Sequence, residues 1–285
     1  MHCYLCSGKV KHLYEKASRH GKNYPIYRCL SCGLWQLDLS EQEKETLNAL
    51  YDTSYFSQRK ERGYDNYAGK LVEKSVLHTF EKNLKDLKLS FLLHEKGRYL
   101  EIGCAAGHIL HYLKEKGWEV CGVDISPHMV AIAQSRGLKV YCADFLSLDL
   151  PESYFDVIAM WATIEHLPDP LAFVHKAKKH LKKEGHFLIT TCHNGFFARI
   201  YGANWRYLNV PEHIYYFSKK SLKILFEKEG FALRRSITYG SGFTSREGAS
   251  WSYRLAKKIF DKVAKLSMGD MIAMDFVLKT SDKLI

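Results

Sequence analysis

Arg98-Tyr-Leu-Glu-Ile-Gly-Cys-Ala-Ala-Gly-His108, followed by Val120-Cys-Gly-Val-Asp124, decides how this chain is read. Tyr99 to Ile102 has the apolar character of a short buried strand, and it breaks at Gly103. Ile109, Leu110 and Leu113 then recur at helical spacing, so a helix begins just after Gly107. A strand, a glycine turn and a helix N-terminus together make a ligand cradle. Glycine lets the backbone approach a ligand without a Cβ in the way, and the first helical turn offers unpaired N–H groups. Asp124 ends the second apolar strand at the carboxyl edge of the sheet, where a carboxylate suits a ribose diol.

Spacing separates the cofactors that use such a cradle. A dinucleotide fingerprint counted from Gly103 meets Ala105 and His108 where its second and third glycines belong. What stands instead, Glu101-x-Gly103-x-x-x-Gly107, resembles motif I of class I S-adenosylmethionine (SAM) methyltransferases, with Ala105 in place of the middle glycine. The resemblance continues in order along the chain. Cys142-Ala-Asp144-Phe145 ends the third strand, where that family sets an acid beside the adenine, and Ile164-Glu-His-Leu-Pro-Asp-Pro170 resembles its stretch after the fourth strand. It implies SAM as cofactor, held by Glu101 near the methionine amino group, by Gly103, Cys104 and Gly107 in the turn, and by Asp124 and Ile125 at the ribose. Asp144, Phe145 and Trp161 complete the expected pocket. A turn-capping role is the alternative for Asp144.

The chain has 285 residues and a net charge of +11. That length suits one substantial core and a small satellite module. No apolar run approaches the ~20 residues needed to span a bilayer, and the amino terminus does not read as a signal peptide, so a cytoplasmic protein without a membrane span is expected. The excess of lysine and arginine would suit nucleic acid, an anionic small molecule or an anionic surface. Its scattered pairs, such as Lys178-Lys179 and Lys219-Lys220, read more naturally as solvated helix faces.

Cys3-Tyr-Leu-Cys6 and Cys29-Leu-Ser-Cys32 each place two thiols two residues apart, with a glycine close behind. Two such turns can present four thiolates to one tetrahedral zinc, and the 22 residues between them suffice for a hairpin. Doubled pairs and a cytosolic setting disfavour a redox or disulfide role. Ser40-Glu-Gln-Glu43 predicts a capped short helix. An aromatic loop over 51–56 follows, then a helix over 70–94 with one apolar stripe, expected to pack on the sheet edge and close the cofactor pocket.

From residue 98 strands and helices alternate, with strands expected at 98–104, 119–124, 138–143, 155–162, 185–192, 231–239 and 271–279. Alternation of this kind predicts a parallel sheet covered on both faces. The fold class is therefore α/β: a Rossmann-like seven-stranded class I methyltransferase sheet, its last strand antiparallel by the resemblance, with an N-terminal zinc-ribbon-like module. The expected divisions are 1–56 for the zinc module and short helix, 57–96 for a helical cap, and 97–285 for the SAM domain, with a substrate lid at about 193–218.

The candidate base lies in that lid, in Trp205-Arg-Tyr-Leu-Asn-Val-Pro-Glu212-His213-Ile-Tyr-Tyr-Phe-Ser218. A glutamate-histidine pair can take a proton near neutral pH. The segment resembles the His-Glu-His-x-x-Tyr-Phe-Ser stretch of zinc-bearing sugar C-methyltransferases, with Pro211 in place of the first His, and more loosely ubiquinone-pathway O-methyltransferases. The catalytic candidates are His213, Glu212 and His166, the last with a structural or cofactor-contact alternative. The expected function is SAM-dependent methyl transfer to a hydroxyl, or a carbon, of a small and anionic acceptor such as a nucleotide-linked sugar or secondary metabolite. An RNA methyltransferase gripping through the basic zinc module, or a non-catalytic zinc-ribbon binding protein, are the alternatives. Protein purified without chelator should carry one zinc per chain, held by Cys3, Cys6, Cys29 and Cys32; elemental analysis finding none would refute this.

Overall fold

The structure, a computed structural model, describes residues 1–18, 20–47, 55–56, 66–241 and 250–279. Most of the expected aromatic loop at 51–56 lies outside the described residues. In chain order the elements open with β1 (Val10–Ala17), β2 (Asn23–Cys29), β3 (Trp35–Leu37), α1 (Glu41–Thr46) and α2 (Lys70–Asp86). The alternating part runs β4 (Arg98–Ile102), α3 (His108–Glu115), β5 (Glu119–Asp124), α4 (Pro127–Ser135), β6 (Val140–Cys142), β7 (Phe155–Trp161), α5 (Pro170–His180) and β8 (Leu181–Cys192). Then come α6 (Phe196–Tyr201), β9 (Tyr215–Tyr216), α7 (Lys219–Lys228), β10 (Phe231–Tyr239), α8 (Trp251–Val263) and β11 (Met271–Leu278).

Seven strands form one sheet in the order β10-β11-β8-β7-β4-β5-β6, with β11 antiparallel to both of its neighbours. Period-two alternation splits the central strands between two faces. Tyr99, Val157, Ala159 and Leu188 pack with Phe80 and Leu84 of α2 and with Ile109, Leu110 and Leu113 of α3. Leu100, Ile158, Met160, Phe187 and Ile189 pack on the other face with Phe173 and Val174 of α5 and with Leu222 and Phe226 of α7. Helix α2 thus covers a face of the sheet rather than its edge, because its apolar stripe meets the odd-numbered residues of β4 and β7. It also ends earlier than the apolar repeat suggests: Lys88 turns left-handed (φ 59°), and a separate 3-10 turn at Ser90–Leu93 takes up the rest. Ser40 and Glu43 form the reciprocal cap expected from their spacing.

A second sheet, β1-β2-β3-β9, joins the amino-terminal module to the segment expected as a lid. Trp35 and Gln36 pair with Tyr216 and Tyr215. Side chains reinforce the seam. Asn194 donates from Nδ2 to the carbonyls of Gly33 (2.9 Å) and Tyr216 (2.6 Å), Ser218 donates to that of Cys32 (3.0 Å), and Lys220 to that of Ser31 (2.7 Å). The aromatic residues of the segment are core rather than the wall of an open mouth. Trp205, Tyr215, Tyr216 and Phe217 are buried, with Trp205 edge-on to Trp35 at 6.1 Å. Asn194→Ala strips two buried carbonyls of their shared donor, which should cost about 2 kcal/mol and lower the melting midpoint by about 4 to 8 °C. An unchanged midpoint in thermal denaturation would show that the seam draws its strength elsewhere.

Candidate active site and cysteine cluster

At the end of β4 the chain turns through two left-handed glycines, Gly103 (φ 76°) and Gly107 (φ 70°), with Ala105 also at positive φ (44°). The cost of placing alanine there is met by its neighbour, since the Ala105 N–H donates to Asp124 Oδ2 at 2.7 Å. The N–H groups of Gly103 and Cys104 both donate to the Val123 carbonyl (2.8 and 3.2 Å), so the turn is tied to the end of β5. A Cβ on Gly103 would lie 2.5 Å from Thr163 Oγ1 and Cγ2, and one on Gly107 would lie 2.5 Å from Leu138 Cδ1. At both positions the left-handed φ already disfavours a side chain, and at Gly103 the Thr163 contact adds to it.

Glu101 and Asp124 lie buried beneath this turn. Burial, then the charge of Asp124, push the Glu101 carboxyl well above the usual range, and its Oε2 has no hydrogen-bond partner among the described residues. An unpartnered buried carboxyl oxygen below a glycine turn fits the ammonium of a SAM methionine tail. Burial also raises Asp124, opposed by N–H donors from Ser126, Ala105 and Ile125. Its Oδ2 and Oδ1 accept from the Ala105 and Ser126 N–H groups at 2.7 and 2.9 Å, which orients the carboxylate where a ribose diol would lie. Ile125 is half-buried beside them.

The remaining cofactor candidates are not brought to the turn in the same way. Asp144 is exposed and caps the short 3-10 turn Phe145–Ser147 by accepting from the Leu146 N–H at 2.8 Å, which is the turn-capping alternative. The Phe145 ring is buried against Phe173 of α5 (5.8 Å between centroids), within the core of the opposite sheet face. Cys104 points into the core, with Sγ 2.7 Å from where a Cβ on Gly122 would stand. Trp161 packs edge-on to Phe80 and donates its indole N–H to the Tyr99 hydroxyl at 2.7 Å.

Two residues after Thr163 comes a cluster whose key acid the sequence reading missed. Glu165, His166 and His213 each bring one ligand-type atom within 4.8 Å of the others. The segment carrying His213 is laced to this turn by the Ile214 N–H, which donates to the Glu165 carbonyl at 2.9 Å. Burial pushes the Glu165 carboxyl up to about 7, against hydrogen bonds from Thr191 and the Cys192 backbone, and its Oε2 is unpartnered among the described residues. Burial, then the neighbouring His166, hold His213 well below its ordinary value. The two imidazoles meet edge to face at 4.6 Å. His166 Nδ1 donates to the Glu212 carbonyl at 2.9 Å, so this nitrogen carries a proton. The Glu212 backbone carbonyl thus meets His166. Beside the expected His213 and His166 the structure thus brings Glu165, which the sequence reading did not single out. The motif Glu165-His166 could have pointed there, since it adjoins the strand end that contacts the glycine turn. The spacing of the trio would also admit a divalent cation.

The four thiols Cys3, Cys6, Cys29 and Cys32 converge, with Sγ atoms 3.6 Å apart for Cys3–Cys32 and 3.5 Å for Cys6–Cys29. Tetrahedral Zn–S bonds of ~2.3 Å require sulfurs about 3.8 Å apart. The N–H groups of Ser31 and Cys32 point at Cys29 Sγ (3.3 and 3.4 Å), the kind of donor that steadies a thiolate. The donor set fits a structural zinc and leaves no open position on it.

A seven-stranded sheet of this order, with a glycine turn between paired buried acids, defines a class I SAM-dependent methyltransferase. The chain belongs to the family described as "Methyltransferase domain", whose pattern matches residues 76–236, more than half its length. A ubiquinone biosynthesis O-methyltransferase of Coxiella burnetii is 27% identical over 188 residues, covering 62% of this chain and 76% of that one. One from Xylella fastidiosa is 28% identical over 119 residues, 38% of this chain and 48% of its own length. Among solved structures, SAM-dependent methyltransferases from Thermotoga maritima (22% identity, TM-score 0.51, covering 75% of this chain and 98% of that one) and Archaeoglobus fulgidus (20%, TM-score 0.54, 76% and 96%) share the fold.

Asp124→Ala should weaken SAM by about 1 to 3 kcal/mol in calorimetry, because it removes both a ribose acceptor and the tie to Ala105. Gly103→Ala should weaken it more, since strain and the Thr163 contact displace the turn. Wild-type affinity in either variant would place the cofactor elsewhere.

Proposed function

We propose that this enzyme methylates a hydroxyl of a small organic acceptor, with Glu165, His166 and His213 handling the acceptor's proton. The observation that carries the reading is a fully buried carboxyl with an unpartnered oxygen, set beside two histidines and two residues from Thr163; its burial pushes it up to about 7. The names of the Coxiella and Xylella relatives support O-methylation.

SAM, held by Glu101, the 103–107 turn and Asp124, supplies an electrophilic methyl group. The chain's residues then have two tasks. Alignment of donor and acceptor is worth up to ~7 to 11 kcal/mol of barrier. Removing the hydroxyl proton adds a factor of ~10² to 10⁴. His213 is too weak a base to keep a proton at neutral pH, so it serves as a neutral relay. Glu165 is the group whose basicity matches the medium. The RNA alternative is weakened because two of the hairpin's six cations are engaged within the protein: Lys16 donates to the Ala203 carbonyl (2.7 Å) and Lys22 pairs with Glu43 (2.5 Å).

Turnover should rise with pH through about 7, as Glu165 ionises, and Glu165→Gln should abolish that limb while lowering the rate by ~10² or more. His213→Ala should lower turnover similarly with SAM affinity unchanged. Variants that keep near-normal turnover on a responsive acceptor would leave alignment alone to explain the rate. Stability gives a check that needs no acceptor. The folded state raises the pKa of this acid, so its contribution is fully present below about 4.5 and is lost as pH rises through about 7. Glu165→Gln should therefore gain on wild type by up to ~3 kcal/mol across that window.

A further inference from the structure

The reaction makes no use of the surface from Trp251 to Leu266. Trp251, Leu255 and Ile259 recur every fourth residue along α8, and Leu266 extends their line through the π-helical turn that follows. Trp251 is 72% exposed, Ile259 52% and Leu266 73%. The Phe197–Phe260 contact, 6.0 Å between ring centroids, joins this stripe to α6, where Phe196, Ile200 and Tyr201 are also exposed. Apolar side chains gathered in this way mark an interaction surface rather than ordinary scatter.

The charges beside the stripe say what covers it. Arg254, Lys258 and Lys262 are exposed and have no carboxylate within ion-pair distance among the described residues. Lys265 stands alongside, 3.0 Å from Asp86. The one acid on the helix, Asp261, is taken by Lys257 at 2.6 Å. A second copy laid on this face would set cations against cations in a chain already at +11. A face with an apolar stripe, a cationic border and a tryptophan at its start matches an anionic lipid surface, where the indole sits at headgroup level and the lysines meet lipid phosphates. No helix among the described residues is long and apolar enough to cross a membrane, so contact of this kind is peripheral.

Topology puts the patch at the same edge of the sheet as the candidate site. Helix α6 leaves the carboxyl end of β8, and α8 follows β10, whose last residue Tyr239 pairs with Met271, itself paired with Cys192 at the end of β8. We propose that α8, with the exposed side chains of α6, rests this edge of the enzyme on an anionic membrane surface.

Co-sedimentation of the full chain with phosphatidylcholine vesicles, with and without phosphatidylglycerol, tests this. The chain should pellet with the anionic vesicles, at least ~10-fold more weakly with phosphatidylcholine alone, and less as salt rises. Ile259→Asp with Leu266→Asp should reduce binding by ~10-fold or more, while circular dichroism and SAM affinity stay unchanged. Lys258→Glu with Lys262→Glu, at two exposed positions, should do the same and covers the case where the apolar pair misfolds. No pelleting with anionic vesicles at low salt would overturn the proposal, as would equal binding by both double variants. Concentration-dependent self-association abolished by Ile259→Asp would assign the face to a second copy instead, and pelleting only with an added acidic protein would assign it to such a partner.

Discussion

There is no space for a side chain at residue 103, and the catalytic end of the molecule is arranged around that constraint. Thr163 stands where a Cβ would go, so the end of β7 is pressed against the turn that follows β4. The Val123 carbonyl takes two N–H groups of the same turn, and Asp124 takes a third from Ala105. Three strand ends are thereby fixed to one another. Glu101 is sealed beneath the turn, and Glu165 is carried to a place two residues from its wall. A cradle for the donor and a cluster able to move a proton are consequences of one close backbone contact.

Burial then differentiates the acids at this edge. Asp124 accepts from several backbone N–H groups, which oppose its desolvation, so it remains suited to binding hydroxyls. Glu165 is more deeply placed, and its hydrogen bonds do not offset the loss of water, which brings it to about 7. The same loss of water drives His213 the other way. Desolvation penalises whichever form is charged, so it brings a carboxyl and an imidazole toward a common, neutral state. With the carboxyl raised and the imidazole lowered, a proton held between the two rests on Glu165.

The glycine turn, the alternation behind the seven-stranded sheet and the paired cysteines were legible because each depends on residues close in sequence. A backbone needing positive φ asks for Gly103 and Gly107, and a strand buried on both faces reads as a run of apolar residues. What escaped the sequence was decided by distant partners. Glu212 and Glu165 are both acids beside histidines, and only the docking of residues 209–214 against the end of β7 shows that Glu165 joins the two imidazoles. Phe145 looked like a platform for a base because it follows the third strand, yet the 3-10 turn capped by Asp144 carries its ring into the core against α5. The segment around Trp205 was expected as a lid, and composition alone could not show that its aromatics pack into a seam with β3. The pairing of β3 with β9 left no local trace, since a two-residue strand has no periodicity to read.

That pairing sets an order of events for a chain made from its amino terminus. The hairpin of β1 and β2 and its cysteines leave the ribosome before the catalytic sheet and can close on a metal ion by then. β3 is then finished on one side only. Its other edge, with Trp35 facing water, waits through the synthesis of nearly the whole catalytic sheet before Tyr215 and Tyr216 arrive. An unpaired strand edge beside an uncovered tryptophan invites the wrong neighbour in the meantime. The brevity of β3 limits that hazard, because three residues offer a stranger few hydrogen bonds while still sufficing to seat the right partner once the rest of the fold has brought it near.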